Sequence, residues 1–184
     1  MGEKKSGARG LLRGAAVLAA GAGAAVLLAG ASVAAAETVP QDELTTAAAG
    51  WGGTYEWSPG NAPGSRLDLA QRANRVDIWR ANNGSNQLWR TYSYGGGVYA
   101  FQNRANGKCL WYAGNDAQLT TGNCDDSNSH KFKGVKHSGG YWTFNPINQR
   151  SGCLDVRGRG TGNGTYVVTH ACNGDSNQRW YSHH

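Results

Sequence analysis

Two stretches of this chain bring a carboxylate, a pair of amides and an indole into the same order. One runs from Asp68 to Asn86-Gln87-Leu88-Trp89, the other from Asp155 to Asn177-Gln178-Arg179-Trp180. A carboxylate accepts hydrogen bonds, a side-chain amide donates and accepts them, and an indole offers a flat apolar face with one donor. That set suits holding a polar ligand rather than breaking a bond. Residues 51–184 contain eight Asp and Glu, of which Glu56 is the only Glu, and none pairs with a second in a motif for glycoside cleavage. Gly-x-Ser-x-Gly, His-Glu-x-x-His and P-loop patterns do not occur. There is no Cys-x-x-Cys pair to bind zinc, and His130, His137, His183 and His184 make only a thin case for a metal. No catalytic residue, metal or cofactor is therefore expected.

The two stretches are copies of one unit, and a degenerate third copy lies between them. The units open with Ser65-Arg66-Leu67-Asp68-Leu69, Asn106-Gly107-Lys108-Cys109-Leu110-Trp111 and Ser151-Gly152-Cys153-Leu154-Asp155-Val156. They close with Gln87 and Trp89, His130 and Phe132, and Gln178 and Trp180. Arg66, Cys109 and Cys153 stand 43 and 44 positions apart, and the closing aromatics 43 and 48. A period in the mid-forties used three times is one supersecondary unit repeated. Propeller blades have a similar period, but they carry a Trp-Asp signature that is missing here and come as four or more. On a strand, residues two apart share a face, so each closing amide and ring point the same way. The three rings are expected to converge on a common centre.

The elements that must position these residues are short. Runs of β-like composition occur at Thr54 to Trp57, Val76 to Trp79, Val98 to Phe101, Tyr141 to Phe144 and Tyr166 to Thr169. Turn signals separate them at Pro59-Gly60-Asn61, Asn83-Gly84, Asn106-Gly107 and Asn163-Gly164. With no amphipathic helical pattern, the class is all-β. Residues 51–184 are enough for one domain with its own core.

Ahead of this domain, residues 1–36 read as a signal peptide. Lys4, Lys5, Arg9 and Arg13 make a positive start, an uncharged Ala-, Leu-, Val- and Gly-rich run follows, and Ala34-Ala35-Ala36 before Glu37 offers a small-residue cleavage site. The run is long enough to span a bilayer, so a retained anchor is the alternative. Residues 37–50 read as a flexible linker. The mature chain is expected to be secreted and extracellular, without a membrane span. Four cysteines fit an oxidising compartment. They allow three connectivities, and the repeat selects Cys109 with Cys124 and Cys153 with Cys172, each pair inside one unit. The first unit has Arg66 and Ala81 at those places, so both partners are missing together.

The Gln-x-Trp endings, the Cys-Leu-Asp opening and three units of this size resemble the ricin-B-type lectins, a carbohydrate-binding family. The resemblance covers residues 51–184 and implies a β-trefoil of three subdomains about a pseudo-threefold axis. Lectins of this kind hold a sugar with the Asp after Cys-Leu, an aromatic two residues before the second Cys, and the Asn preceding the motif Gln. A sugar needs an acceptor for its hydroxyls and a ring for its C–H face, which is what those parts supply. Carried onto this chain, the resemblance implies two carbohydrate-binding sites. The third unit supplies Asp155, His170 and Asn177 beside Gln178, and the first supplies Asp68, Trp79 and Asn86 beside Gln87. The middle unit has Trp111, Gly122 and Ser129 at those positions, and its site is expected to be dead.

Two departures stand out. Family members often carry a polar residue four before the second Cys, where this chain has Val168 in the third unit and Asp77 in the first; His170 is also a small platform. Each residue has a plainer reading as well. Asp68 and Asp155 could cap turns, an isolated strand Trp such as Trp79 is usually buried, and His170 could be an ordinary surface histidine.

The expected function is a monomeric, non-enzymatic lectin for galactose- or xylose-type glycans. The alternative is a trefoil scaffold or inhibitor that grips a protein partner through its loops. Fourteen Lys and Arg against the eight acids in 51–184 make the domain basic, but the densest cluster is the loose Lys131, Lys133 and Lys136. No nucleic acid is indicated by that pattern.

Overall fold

The computed structural model describes residues 48–184. The expected signal peptide, and linker residues 37–47, lie outside the described residues. Each repeat contributes four strands. The first gives β1 (Gly50–Pro59), β2 (Ser65–Ala70), β3 (Arg75–Arg80) and β4 (Trp89–Gly95). The second gives β5 (Val98–Asn103), β6 (Cys109–Trp111), β7 (Thr120–Gly122) and β8 (Phe132–Lys136). The third gives β9 (Trp142–Pro146), β10 (Gly152–Val156), β11 (Thr165–Ala171) and β12 (Trp180–His183). β1 starts at Gly50, the last residue of the expected linker, because Gly50 and Trp51 pair with Ser93 and Tyr92 on β4.

Six strands close on themselves. β1 pairs with β4, β4 with β5, β5 with β8, β8 with β9, β9 with β12, and β12 returns to β1. Closure leaves no free edge in this barrel. The other six strands form the hairpins β2–β3, β6–β7 and β10–β11. The hairpins meet through Arg75 opposite Thr120, Thr165 opposite Ile78, and Gln118 opposite Val168. The result is an all-β trefoil whose three subdomains follow the sequence repeat.

The core answers the sequence pattern with one correction. Trp89, Phe132 and Trp180 are fully buried in a single apolar cluster, as their spacing predicts. The rings that touch one another at its centre, however, are Trp57, Phe101 and Phe144. Their centroids lie 5.7, 5.1 and 5.0 Å apart in edge-on contact. These three also recur at the repeat period, one from the first strand of each unit. The motif tryptophans pack around them and tie down the opening segments: Trp89 Nε1 donates to the Leu67 carbonyl at 2.9 Å and Trp180 Nε1 to that of Leu154 at 3.0 Å. A buried indole needs such an acceptor. Phe132 has no N–H to donate.

The cysteines pair as the repeat predicts, Cys109 with Cys124 and Cys153 with Cys172, and no free cysteine occurs among the described residues.

Candidate functional site

β10 carries Asp155 and the turn Ser176–Gln178 carries both amides, so the site is made where the two ends of one repeat meet. Asp155 Oδ2 accepts from Asn177 Nδ2 at 2.9 Å and from Gln178 Nε2 at 2.8 Å. Asn177 also donates to the Val156 carbonyl at 3.1 Å and Gln178 to that of Ala171 at 2.9 Å. Gln178 Oε1 in turn accepts the Asn173 backbone N–H at 2.9 Å. The glutamine is thus a buried clip between the opening strand, β11 and the following turn. Burial pushes the Asp155 carboxyl above the ordinary carboxylate range, against the lowering effect of its amide donors.

The first repeat reproduces this network. Asp68 Oδ2 accepts from Asn86 Nδ2 and Gln87 Nε2, each at 2.8 Å. Gln87 Nε2 reaches the Arg80 carbonyl at 3.0 Å, and Gln87 Oε1 takes the Asn82 N–H at 2.9 Å. Asp68 is likewise raised by burial. Asn82 and Asn173, which sequence reasoning did not single out, sit at the same offset within their units and each closes a local turn, to Gly84 N and Asp175 N. The repeat carried a signal for both.

The platforms differ. Trp79 is 43% exposed, against the ordinary expectation for a strand tryptophan, and it lines a cleft of about 530 Å³ with Asp68, Asn86, Arg72 and Arg75. His170 lines a cleft of about 400 Å³ with Asp155, Asn177, Arg157 and Val168. Asp116 also lines this cleft, and its Oδ1 lies 2.5 Å from His170 Nδ1. That hydrogen bond and charge raise the His170 pKa above its usual value. Asp116 comes from the second repeat, where Asp116 N bonds to the Thr169 carbonyl at 2.8 Å. Nothing in the third unit's sequence could have announced it.

Asp77 does not line the first cleft. It is wholly buried opposite Asp68 in the β2–β3 register, and neither carboxylate oxygen has a hydrogen-bond partner. Burial, reinforced by the Asp68 charge and eased by Arg75 Nε at 3.7 Å, pushes its pKa up to about 6. Val168 holds the matching place opposite Asp155.

In the middle unit the corresponding place is taken by Trp111. A Cβ on Gly122 would stand 2.5 Å from Trp111 Cε3, so the indole lies directly on the glycine and fills the space the other units keep open. His130, buried in the glutamine position, turns to Tyr94 Oη at 2.9 Å instead.

Against known proteins, the family model described as ricin-type beta-trefoil lectin domain-like matches residues 60–123 and 85–170. The chain belongs to that family. This ricin-type chain also resembles solved structures of the same fold. The designed threefold-symmetric protein ThreeFoil is 22% identical over 71% of this chain and 98% of its own, with a TM-score of 0.67. The ricin B-like lectin of Macrolepiota procera, solved in complex with lactose, is 20% identical over 75% and 98%, with a TM-score of 0.63. An exo-beta-1,3-galactanase from Clostridium thermocellum is 20% identical over 70% of this chain but only 29% of its own, with a TM-score of 0.65. At these identities the likeness is one of fold. No curated protein sequence matches the chain.

Proposed function

We propose that this ricin-type protein is a secreted, non-catalytic, monomeric lectin that binds galactose- or xylose-type glycans through the clefts of its first and third repeats. The observation that carries the reading is the twice-built carboxylate. In each cleft both amides converge on one oxygen, Oδ2 of Asp68 or Asp155, and leave Oδ1 for ligand hydroxyls beside a ring. Trp79 gives the first cleft a broad face for sugar C–H groups; His170 gives the third a smaller face with a hydrogen-bonding edge. Two weak sites on one rigid body gain by avidity on a repeating glycan. The lactose complex of the Macrolepiota lectin fits this reading. Two disulfides suit an exported protein, with residues 1–36 as its leader and 37–49 as the tether.

Isothermal titration with galactose, lactose, xylan and arabinogalactan tests the reading. Trp79→Ala removes an exposed ring, so it should abolish the first site's heat while shifting stability by no more than about 0.5 kcal/mol. Asp68→Ala with Asp155→Ala should remove the heat of both sites. A double variant that binds as well as the parent overturns the assignment.

A further inference from the structure

On β4, Trp89, Thr91 and Ser93 turn into the core while Arg90, Tyr92 and Tyr94 alternate outward. β1 adds Trp51 to that outward row. The register of β1 shifts between Trp51 and Thr54, across Gly52 and Gly53. A Cβ on Gly52 would lie 2.9 Å from Thr91 Oγ1, and one on Gly53 2.8 Å from Tyr55 Oη. Bulges re-aim side chains, and this one leaves Trp51 43% exposed with its ring 5.1 Å from that of Tyr92. Tyr92 in turn meets Tyr94 at 4.8 Å.

Facing this row are Asp125 and Asp126, both exposed, directly after Cys124 and so anchored to β6 by the Cys109 disulfide. Rings, disulfide and acids enclose a cleft of about 330 Å³. It shares no lining residue with the first or third cleft, and it avoids Trp111 and Gly122, where the middle unit's pocket is filled. Asp125 Oδ1 accepts the Ser127 N–H at 2.9 Å, which helps hold its carboxyl below the usual range and ionised.

We propose that this cleft is a third carbohydrate subsite, taking a neutral oligosaccharide with C–H faces on Trp51 and Tyr92 and hydroxyls on Asp125 and Asp126. The proposal rests on the carbohydrate-binding reading above. The charges choose the ligand. An anionic glycan would meet two carboxylates. A cationic ligand would compete with Arg90, already 4.7 Å over the Trp51 ring, and with Lys131, 4.8 Å over that of Tyr94. A neutral polyol carries no charge to set against either, packs on the Trp51 face that Arg90 does not cover and can use both carboxylates as acceptors.

The test follows the indole N–H resonances of Trp51 and Trp79 by NMR while neutral xylo- and galacto-oligosaccharides are added. Both should shift in the parent, and Trp51 should still shift in the Asp68→Ala, Asp155→Ala variant. Asp126→Asn should weaken the Trp51 isotherm about fivefold, the effect of one lost hydrogen bond, and leave that of Trp79 unchanged. A response at Trp79 with Trp51 silent overturns the third subsite and leaves the lectin reading standing. Silence at both overturns the two together. A Trp51 that answers to tetramethylammonium and not to sugar makes the cleft a cation site and overturns the proposal.

Discussion

Gln178 Nε2 lies 2.8 Å from Oδ2 of Asp155, so the residue that closes the repeat is bonded to the residue that opens it. Gln87 and Asp68 stand in the same relation at the same distance. The motif glutamine is thus buried behind the carboxylate and does not line the cleft. It also fixes where the repeat's two ends join.

Gln178→Ala should accordingly cost both stability and binding. It strips a donor from a buried carboxylate and orphans the Asn173 N–H, a loss of about 1–3 kcal/mol by urea denaturation. The third site's sugar affinity should fall with it, while the first site keeps its own. Gln87→Ala should mirror this at the first site. A Gln178→Ala protein with parental stability would show that the clip is dispensable.

Asp77 should make the protein less stable as pH rises. Its carboxyl titrates near 6 in the fold against an ordinary value of 3.8, so between those values the folded state holds a proton that the unfolded state has released. Stability then falls with rising pH through that window and levels off above it, by roughly 3 kcal/mol. The charges around the group are Asp68 and Arg75; on the facing β11, Tyr166 lies beneath the Arg75 guanidinium. Asp77→Val, copying Val168 of the third unit, should flatten the slope between pH 4 and 6 and raise stability at pH 7. An unchanged slope in the variant would place the effect elsewhere.

His170 should titrate above its ordinary 6.5 because Asp116 favours the imidazolium. The contact between the repeats is then complete below pH 6.5 and weakens as pH rises through the raised value. NMR titration of the His170 ring should show that value, and Asp116→Asn should bring it back down. Sugar binding at the third cleft should change over the same range, and Asp116→Asn should move that change together with the His170 value. A His170 titration indifferent to Asp116→Asn would remove the coupling.

The sequence alone determined the architecture, because a threefold repeat is a statement about a unit and its copies. Each unit has four strands; the first and third share an opening Leu-Asp and a closing Asn-Gln and Trp, the middle keeps the Leu and the ring, and the paired presence of Cys109 with Cys124 and Cys153 with Cys172 follows from the same register. Asp68 with Asn86 and Asp155 with Asn177 were legible for that reason: each pair lies inside one unit. What lies between units was not legible. Asp116 reaches His170 across a repeat boundary, and the ring of Trp51 finds Tyr92 through a strand pairing and a glycine bulge. Which rings meet at the centre was misplaced, since Trp57, Phe101 and Phe144 carry no motif beyond their spacing. Spacing along a chain fixes neighbours within a unit. Only the closed barrel decides which faces of separate units converge, because closure sets strand tilt and register together.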